Sequence, residues 1–479
     1  MAEIKTISEV VNNGYCVGCG ACSVGNSDLV MKMNSLGHFL PYGNLDARET
    51  PLPDADLCPM LSPLDEDEIA DEVLSVEARR EYKKHVGFIH KAWAGHVKSG
   101  QFRRHGSSGG MVSWLAAELL GKNYIDALIH VKESPESDFL FEYAASFNVN
   151  EITAGAKSRY YPVKLDDVVR LIQSKNDKRY AVIGLPCMIK AMRLMMRKDE
   201  QLRHSVKYLI GIVCGHLKTT GFAEALAWQQ GITPDKVETV DFRRKLKFRS
   251  ASAYGFSATS TDGHEIVTPM SSLEGGNWGQ GYFKLPACDF CDDVFAETAD
   301  VVIGDAWISK YKKDAKGNNI IVSRNQEVSN LIELGCENGE LQLEVSSGEE
   351  AYESQKAGIT HRSEGLAYRL GKRTSLGGAV PKKRVEAGDF RISENRAAIY
   401  DMRIILQDSS FRVFEIAKSK KQLSFFLNAM RPLGRVYASL YEKEQTFSYL
   451  KLLKAKLKNL IRKITRTYNR EVFPKDGGR

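Results

Sequence analysis

Between residues 86 and 345 the chain alternates short β-rich apolar runs with stretches of helical period. The runs YIDALIHV (124–131), RYAVIGL (179–185), VKYLIGIVC (206–214) and ADVVIGDAW (299–307) have strand length and are rich in Val, Ile and Tyr. Between them come GGMVSWLAAELLG, LDDVVRLIQS, MIKAMRLMMRKD and TTGFAEALAWQQG. In the first of these, Val112, Leu115, Ala116 and Leu119 recur at helical spacing. Strand, helix and strand in succession predict an α/β domain, a mixed sheet with flanking helices, whose ligands sit at the C-terminal ends of strands. Residues 1–75 are turn-rich and carry cysteines, and residues 350–479 are polar, then helical and basic. The expected division is therefore 1–75, 86–345 and 350–479, with no internal repeat.

Composition is ordinary for a globular protein: 43% hydrophobic and 27% charged over 479 residues. No apolar run reaches the ~18 residues of a membrane span. The start, MAEIKTISEVVNNG, lacks the basic and apolar regions of a signal peptide, so a cytoplasmic location is expected. Nine cysteines in a reducing compartment point to metal binding or catalysis rather than disulfides. A net charge of +7 does not by itself imply nucleic acid, and no zinc-finger, KH or RNP signature is present, so no nucleic-acid partner is expected.

In YCVGCGACSV the thiols of Cys16, Cys19 and Cys22 follow C-x2-C-x2-C, the spacing that wraps three corners of a cubane cluster in bacterial-type ferredoxins. Gly18 and Gly20 let the loop fold tightly and turn its amides toward sulfur. Cys58, followed by Pro59, has the look of the remaining ligand, and no second C-x2-C-x2-C exists for it to serve. Residues 1–75 are thus expected to be a small ferredoxin-like 4Fe–4S segment. The alternative is a structural zinc site of four thiolates, although zinc ribbons usually show two separated pairs.

A second group is more dispersed. Cys187 and Cys214 end strand-like runs, and Cys288 and Cys291 form a C-x2-C pair. They could converge on one centre above the sheet, or be small core hydrophobes. Cys336, in LGCENG, has no partner pattern and reads as an ordinary thiol.

GLPC, GIVCGH, ACDFCDDVFAETADVVIGDAW, HGSSGGMVSWLAAELL and AGAKSRYYP together resemble the family of coenzyme F-420 hydrogenase and dehydrogenase beta subunits, across residues 10–345. That family includes a plant hydroxymethyl-chlorophyll reductase and bacterial members found among polysaccharide-synthesis genes. The resemblance implies an iron–sulfur flavoprotein. Cys187, Cys214, Cys288 and Cys291 would hold a 4Fe–4S cluster close to FAD, and the N-terminal motif a further cluster. No residues here match a site for the deazaflavin itself.

With the resemblance, Ser107, Ser108, Gly109 and Gly110 read as a flavin-binding turn at a helix N-terminus, where either serine could cap the helix and the glycines admit a ring or diphosphate. Without it they read as a tight capped turn. Lys157 and Arg159 offer charge for the diphosphate or the reduced flavin, and Ser158 a hydroxyl; alternatively this is a solvated basic loop. Asp305 reads as a cap for the segment after its strand. His216 and His105 read as structural hydrogen-bond partners rather than proton donors.

Two stretches are basic. In DFRRKLKFRS, Lys245, Lys247 and Arg249 alternate with Leu246 and Phe248 as on a half-exposed strand, either a solvent face or a dock for an acidic donor. The segment 449–470 has no acid and eight Lys or Arg, with Leu450, Leu453, Leu457, Leu460 and Ile464 at heptad-like spacing. Such a basic amphipathic helix could lie on an anionic membrane surface at the inner face, or dock on protein.

The whole reads as an FAD-dependent oxidoreductase. Electrons from a reduced carrier, ferredoxin in type, pass through two 4Fe–4S clusters to FAD and on as hydride to an organic acceptor, or the reverse. The acceptor is a deazaflavin-type coenzyme or a polysaccharide-pathway intermediate. The competing reading is a zinc-binding structural or regulatory protein recruited to a membrane assembly by its basic tail.

Overall fold

The computed structural model describes residues 3–446, apart from 27, 44, 46–54, 135–137, 176 and 248. The basic amphipathic stretch 449–470 and Phe248 lie outside the described residues.

The apolar runs build one eight-stranded sheet. Its strands are β1 (Lys91–Val97), β2 (Ala127–Glu133), β3 (Phe141–Ser146), β4 (Tyr180–Gly184), β5 (Val206–Ile212), β6 (Val301–Asp305), β7 (Asn319–Ser323) and β8 (Leu341–Val345). Their order across the sheet is β8-β1-β7-β6-β5-β4-β2-β3. The central β6, β5, β4 and β2 are parallel, and both flanks are antiparallel, so the sheet is mixed as the pattern predicts.

Parallel strands must be covered on both faces, and these are. Ile129, Val182, Leu209 and Val302 enter the core on one face. Leu128, Ile183, Ile210 and Ile303 enter the core on the other. This is the period of two expected of extended chain. The second face is covered by α1 (Met111–Gly121), through Trp114, Leu115 and Leu119. The first is covered by α2 (Pro186–Lys198), which Pro186 starts with its fixed φ, and by the N-terminal segment.

That segment has little structure of its own: short helices and a hairpin of Val30–Met33 with Phe39–Tyr42. It shares its core with the sheet. Cys19, Leu57, Cys58 and Ile69 pack in the same apolar body as Met188, Ile189 and Met192 of α2. The Leu165 amide donates to the Cys19 carbonyl at 2.8 Å, and the Ile4 amide to the Val380 carbonyl at 3.2 Å.

The C-terminal region is helical. It includes α3 (Gly348–Arg362) and α4 (Glu394–Lys420). With the small sheet of Val237–Arg244, Gly255–Ser260 and Glu265–Pro269, α4 closes an aromatic core around Phe222, Phe242, Phe283, Phe414 and Phe426. Among the described residues no helix is long and apolar enough to cross a membrane.

Candidate functional site

The C-x2-C-x2-C loop is shaped by two glycines in the left-handed region, Gly18 at φ 74° and Gly20 at φ 81°. A β-carbon on Gly18 would stand 2.9 Å from the Phe39 carbonyl oxygen, so the hairpin itself excludes a side chain there. The Gly18 amide donates to the Cys16 sulfur at 3.4 Å. Amides of Ala21, and of Met60 and Leu61, point at Cys19 and Cys58. Burial pushes the Cys16 thiol up to about 12, and Cys19 and Cys22 higher still. The next causes include the neighbouring thiols, since Cys22 feels Cys19, Cys58 and Cys16. The fold thus gathers Cys16, Cys19, Cys22 and Cys58, up to 42 positions apart in the chain, into one neighbourhood, with Cys19 and Cys58 buried and Cys16 and Cys22 half-buried. Like charges this close in an apolar core need a cationic centre among them before all four can ionise.

The second group converges in the same way. Cys187 follows β4 in the first turn of α2, Cys214 follows β5, and Cys288 lies in the turn Pro286–Phe290 before β6. The thiol of Cys187 is held up first by burial, then by Cys214, Cys291 and Cys288, and also by Cys19 of the first group. The two groups therefore adjoin. Cys16, Cys22, Cys187 and Cys288 all pack against the core that contains Cys19 and Cys58. Cys336 sits apart, packed against the core of the opposite face.

Buried charges of both signs surround the second group, with Asp292 and Asp293 acting on Cys291 beside Arg362 and Lys383. Arg362, the last residue of α3 and 4% exposed, donates to the Cys291 sulfur at 2.6 Å and to the Cys214 sulfur at 3.8 Å. The Leu217 amide donates to the Cys288 sulfur at 3.2 Å. Lys284 and Lys383 are buried nearby, paired with Asp289 and Asp292. No sequence motif marks Arg362, which lies in the part where the pattern carries no chemical signature.

The two expected flavin segments meet. The Ser158 amide donates to the Ser107 hydroxyl at 2.8 Å. Neither serine caps α1, however. Its N-cap is Gly110 at φ 87°, and the Met111 amide is satisfied by Asn319 Oδ1 at 3.2 Å, from β7. The Ser108 hydroxyl instead donates to the Asn318 carbonyl at 3.0 Å. A β-carbon on Gly109 would lie 2.5 Å from Asn319 Oδ1, and one on Gly110 2.6 Å from the Arg103 amide nitrogen. Both glycines are thus already required by neighbouring protein atoms.

Lys157 pairs with Asp241 at 3.0 Å. Arg159 pairs with Glu133 at 3.2 Å and covers the Phe141 ring at 4.6 Å, while its Nε is buried without a partner. Both line a polar cleft of about 270 Å³ with His105, Asp241, Arg244 and Thr259. His105 is thus a cleft-wall residue. Lys245 does not lie on a strand, because the strand ends at Arg244. Its ammonium reaches the carbonyls of Arg103 and Ser108, at 2.5 and 3.0 Å. Burial, with Lys157, Arg103 and Arg243 around it, pulls its pKa down to about 8.

Asp305 does not act as a cap. The short helix after it, Ser309–Lys312, has Ile308 at its N-cap and no side-chain cap. Its carboxylate instead accepts from both terminal guanidinium nitrogens of Arg243, at 2.5 and 3.2 Å. His216 is not a hydrogen-bond partner through Nε2, which is buried and unpaired; its ring stacks on Trp278, with centroids 4.2 Å apart.

Comparison with known proteins matches residues 92–170 to the N-terminal model and 177–348 to the C-terminal model of the coenzyme F420 hydrogenase/dehydrogenase beta subunit. The chain belongs to that family. It is 24% identical over 348 residues to a coenzyme F420-dependent sulfite reductase of Methanocaldococcus jannaschii, covering 68% of this chain and 47% of that one. It is 24% identical over 323 residues to an F(420)H(2) dehydrogenase subunit of Methanosarcina mazei, covering 64% and 81%. A chain of the F420-reducing [NiFe] hydrogenase complex of Methanosarcina barkeri superposes with a TM-score of 0.48 at 12% identity, covering 63% and 98%. The chain spans about half the length of the first of these relatives.

Proposed function

We propose that this chain is an iron–sulfur flavoprotein oxidoreductase. Cys16, Cys19, Cys22 and Cys58 would hold one 4Fe–4S cluster, and Cys187, Cys214, Cys288 and Cys291 a second. Ser107, Ser108, Gly109, Gly110, Lys157, Ser158 and Arg159 would bind FAD. When bound, such groups move single electrons between a ferredoxin-type carrier and the flavin, which exchanges a hydride with an organic acceptor. The names of the relatives favour a deazaflavin-type acceptor over a polysaccharide-pathway intermediate.

The observation that carries this reading is the adjacency of the two thiol groups, whose loops share one core and meet where the Tyr15 ring packs on Phe290, with centroids 4.7 Å apart. A pair of structural zinc sites has no need to adjoin; a relay does. The donor set also suits clusters. Around the thiols this chain supplies amides aimed at sulfur and a buried guanidinium that offsets thiolate charge. At the flavin segments it supplies Lys157, Arg159 and Lys245 for a diphosphate.

Anaerobic purification tests the proposal. Iron and acid-labile sulfide in stoichiometric amount, flavin absorbance, and a paramagnetic signal after reduction are expected. A colourless protein with stoichiometric zinc would overturn it in favour of a structural or regulatory role.

A further inference from the structure

Arg362 bonds to sulfurs of only one thiol group. It is buried, and its guanidinium spans two of the four thiols of the second group, Cys291 at 2.6 Å and Cys214 at 3.8 Å. Its remaining hydrogen bonds go to backbone carbonyls: Cys214 at 3.2 Å, Gly215 at 2.6 Å and Asp293 at 3.0 Å. None of these partners is a carboxylate, so the side-chain acceptors it bonds are the two sulfurs. The carbonyls fix the guanidinium from behind, and a rigid fork held this way keeps its geometry as the charge before it changes.

The first group is served differently. Its sulfurs receive amides, from Gly18, Ala21, Met60 and Leu61. The cations that reach it are lysines acting on Cys58 from a distance, Lys190 and Lys383, the second shared with Cys291, and each pairs with a carboxylate, Glu66 at 3.0 Å and Asp292 at 3.4 Å.

We propose that Arg362 is a positioning residue that makes the centre at Cys187, Cys214, Cys288 and Cys291 the more readily reduced of the two. The inference rests on the iron–sulfur reading above. A 4Fe–4S cluster with four thiolates carries charge −2 oxidised and −3 after gaining one electron from the reduced carrier; no bond is made or broken. A fixed positive charge with two N–H donors on the sulfurs stabilises the −3 state more than the −2 state. The chain thereby sets a downhill step from the N-terminal thiol group to the one nearer the sheet.

Reductive titration of the full-length, anaerobically purified protein, followed by paramagnetic resonance, tests this with Arg362→Gln. Both clusters are expected to remain, by iron and sulfide content. The second centre is expected to lose at least tenfold in its reduced-to-oxidised ratio at a fixed ambient potential, about 59 mV for one electron. The N-terminal centre keeps its midpoint and serves as the internal control. Should Arg362→Gln shed iron, Arg362→Lys decides. It keeps the charge but cannot span both sulfurs, and a smaller fall in the same direction is expected. A second-centre midpoint equal to wild type in the variant that retains iron would overturn the assignment. So would equal shifts at both centres. A wild-type protein without iron would instead overturn the iron–sulfur reading itself.

Discussion

The ring of Tyr15 meets the ring of Phe290 edge-on, with centroids 4.7 Å apart and planes at 76°. Tyr15 precedes Cys16, and Phe290 lies between Cys288 and Cys291, so one aromatic contact joins the two cysteine loops. Tyr15 is fully buried, and its hydroxyl donates to the Ala379 carbonyl at 2.8 Å. Edge-on pairs of this kind add stability beyond the area they bury.

Phe290→Ala removes that ring and leaves a void between the loops. A loss of about 2 kcal/mol is expected, because Phe290 is half-buried and the full core penalty does not apply. Urea unfolding reads it as a lowered midpoint. Phe290→Leu fills most of the space and should lose less than half as much; equal losses would mean that the ring contact holds nothing together.

Cys19→Ser removes a thiol from the first group while leaving the turn of Ser107 to Gly110 untouched, since that turn is held by Asn318 and Asn319 and not by the loop of Cys19. Flavin reduction by an external one-electron donor should fall at least tenfold, with the flavin-to-protein ratio near wild type. An emptied flavin site would show that relay and flavin site are not separable in this fold.

Lys157→Gln and Arg159→Gln should weaken flavin retention about tenfold each, the cost of one charge-assisted hydrogen bond to a diphosphate. Fluorescence of released flavin during dilution measures it. Lys122→Gln, on the far end of α1 and paired with Glu118 at 3.6 Å, should have no effect. Retention unchanged in all three proteins would remove the cleft from the flavin site.

His130 provides a pH test. It is buried beneath the loop that carries Lys157, where a β-carbon on Gly155 would meet its ring at 2.3 Å, and it bonds Ser146 at 2.8 Å. Burial first, then Lys132 and Arg159, lower its pKa to about 4. The unfolded chain therefore takes the proton first, near its ordinary value of about 6.5. Folding stability is complete above that value and is lost as pH falls toward 4, by up to about 3 kcal/mol. Denaturant midpoints measured from pH 7 to 4 should show this slope in the wild type and a shallower one in His130→Gln. Identical slopes would assign the acid sensitivity to other groups.

The strands and α1 are legible in the sequence because burial on both sides of a parallel sheet requires nearly continuous apolar runs, and YIDALIHV, RYAVIGL and ADVVIGDAW are such runs. The cap of α1 is not. Ser107 and Ser108 stand where local rules place a capping hydroxyl, but Asn319 arrives from β7 and takes the Met111 amide. Asp305 escapes local rules for the same reason, since its partner Arg243 comes from a separate small sheet 62 positions away. His216 leaves Nε2 unpaired and takes a stacking partner, Trp278, just as distant in sequence.

The order of residues alone determined which thiols stand ready in pairs and triplets, because two-residue gaps fix the reach of a short loop whatever surrounds it. It also determined the strand runs, because period and apolarity are local properties. Only the folded chain decided that the loop of Cys19 abuts the turn of Cys187, that Phe290 rests on Tyr15, and that Arg362 turns its charge onto Cys214 and Cys291. Those contacts follow from how the N-terminal segment and α3 pack on a common sheet, and packing between distant segments leaves no periodic trace in either one.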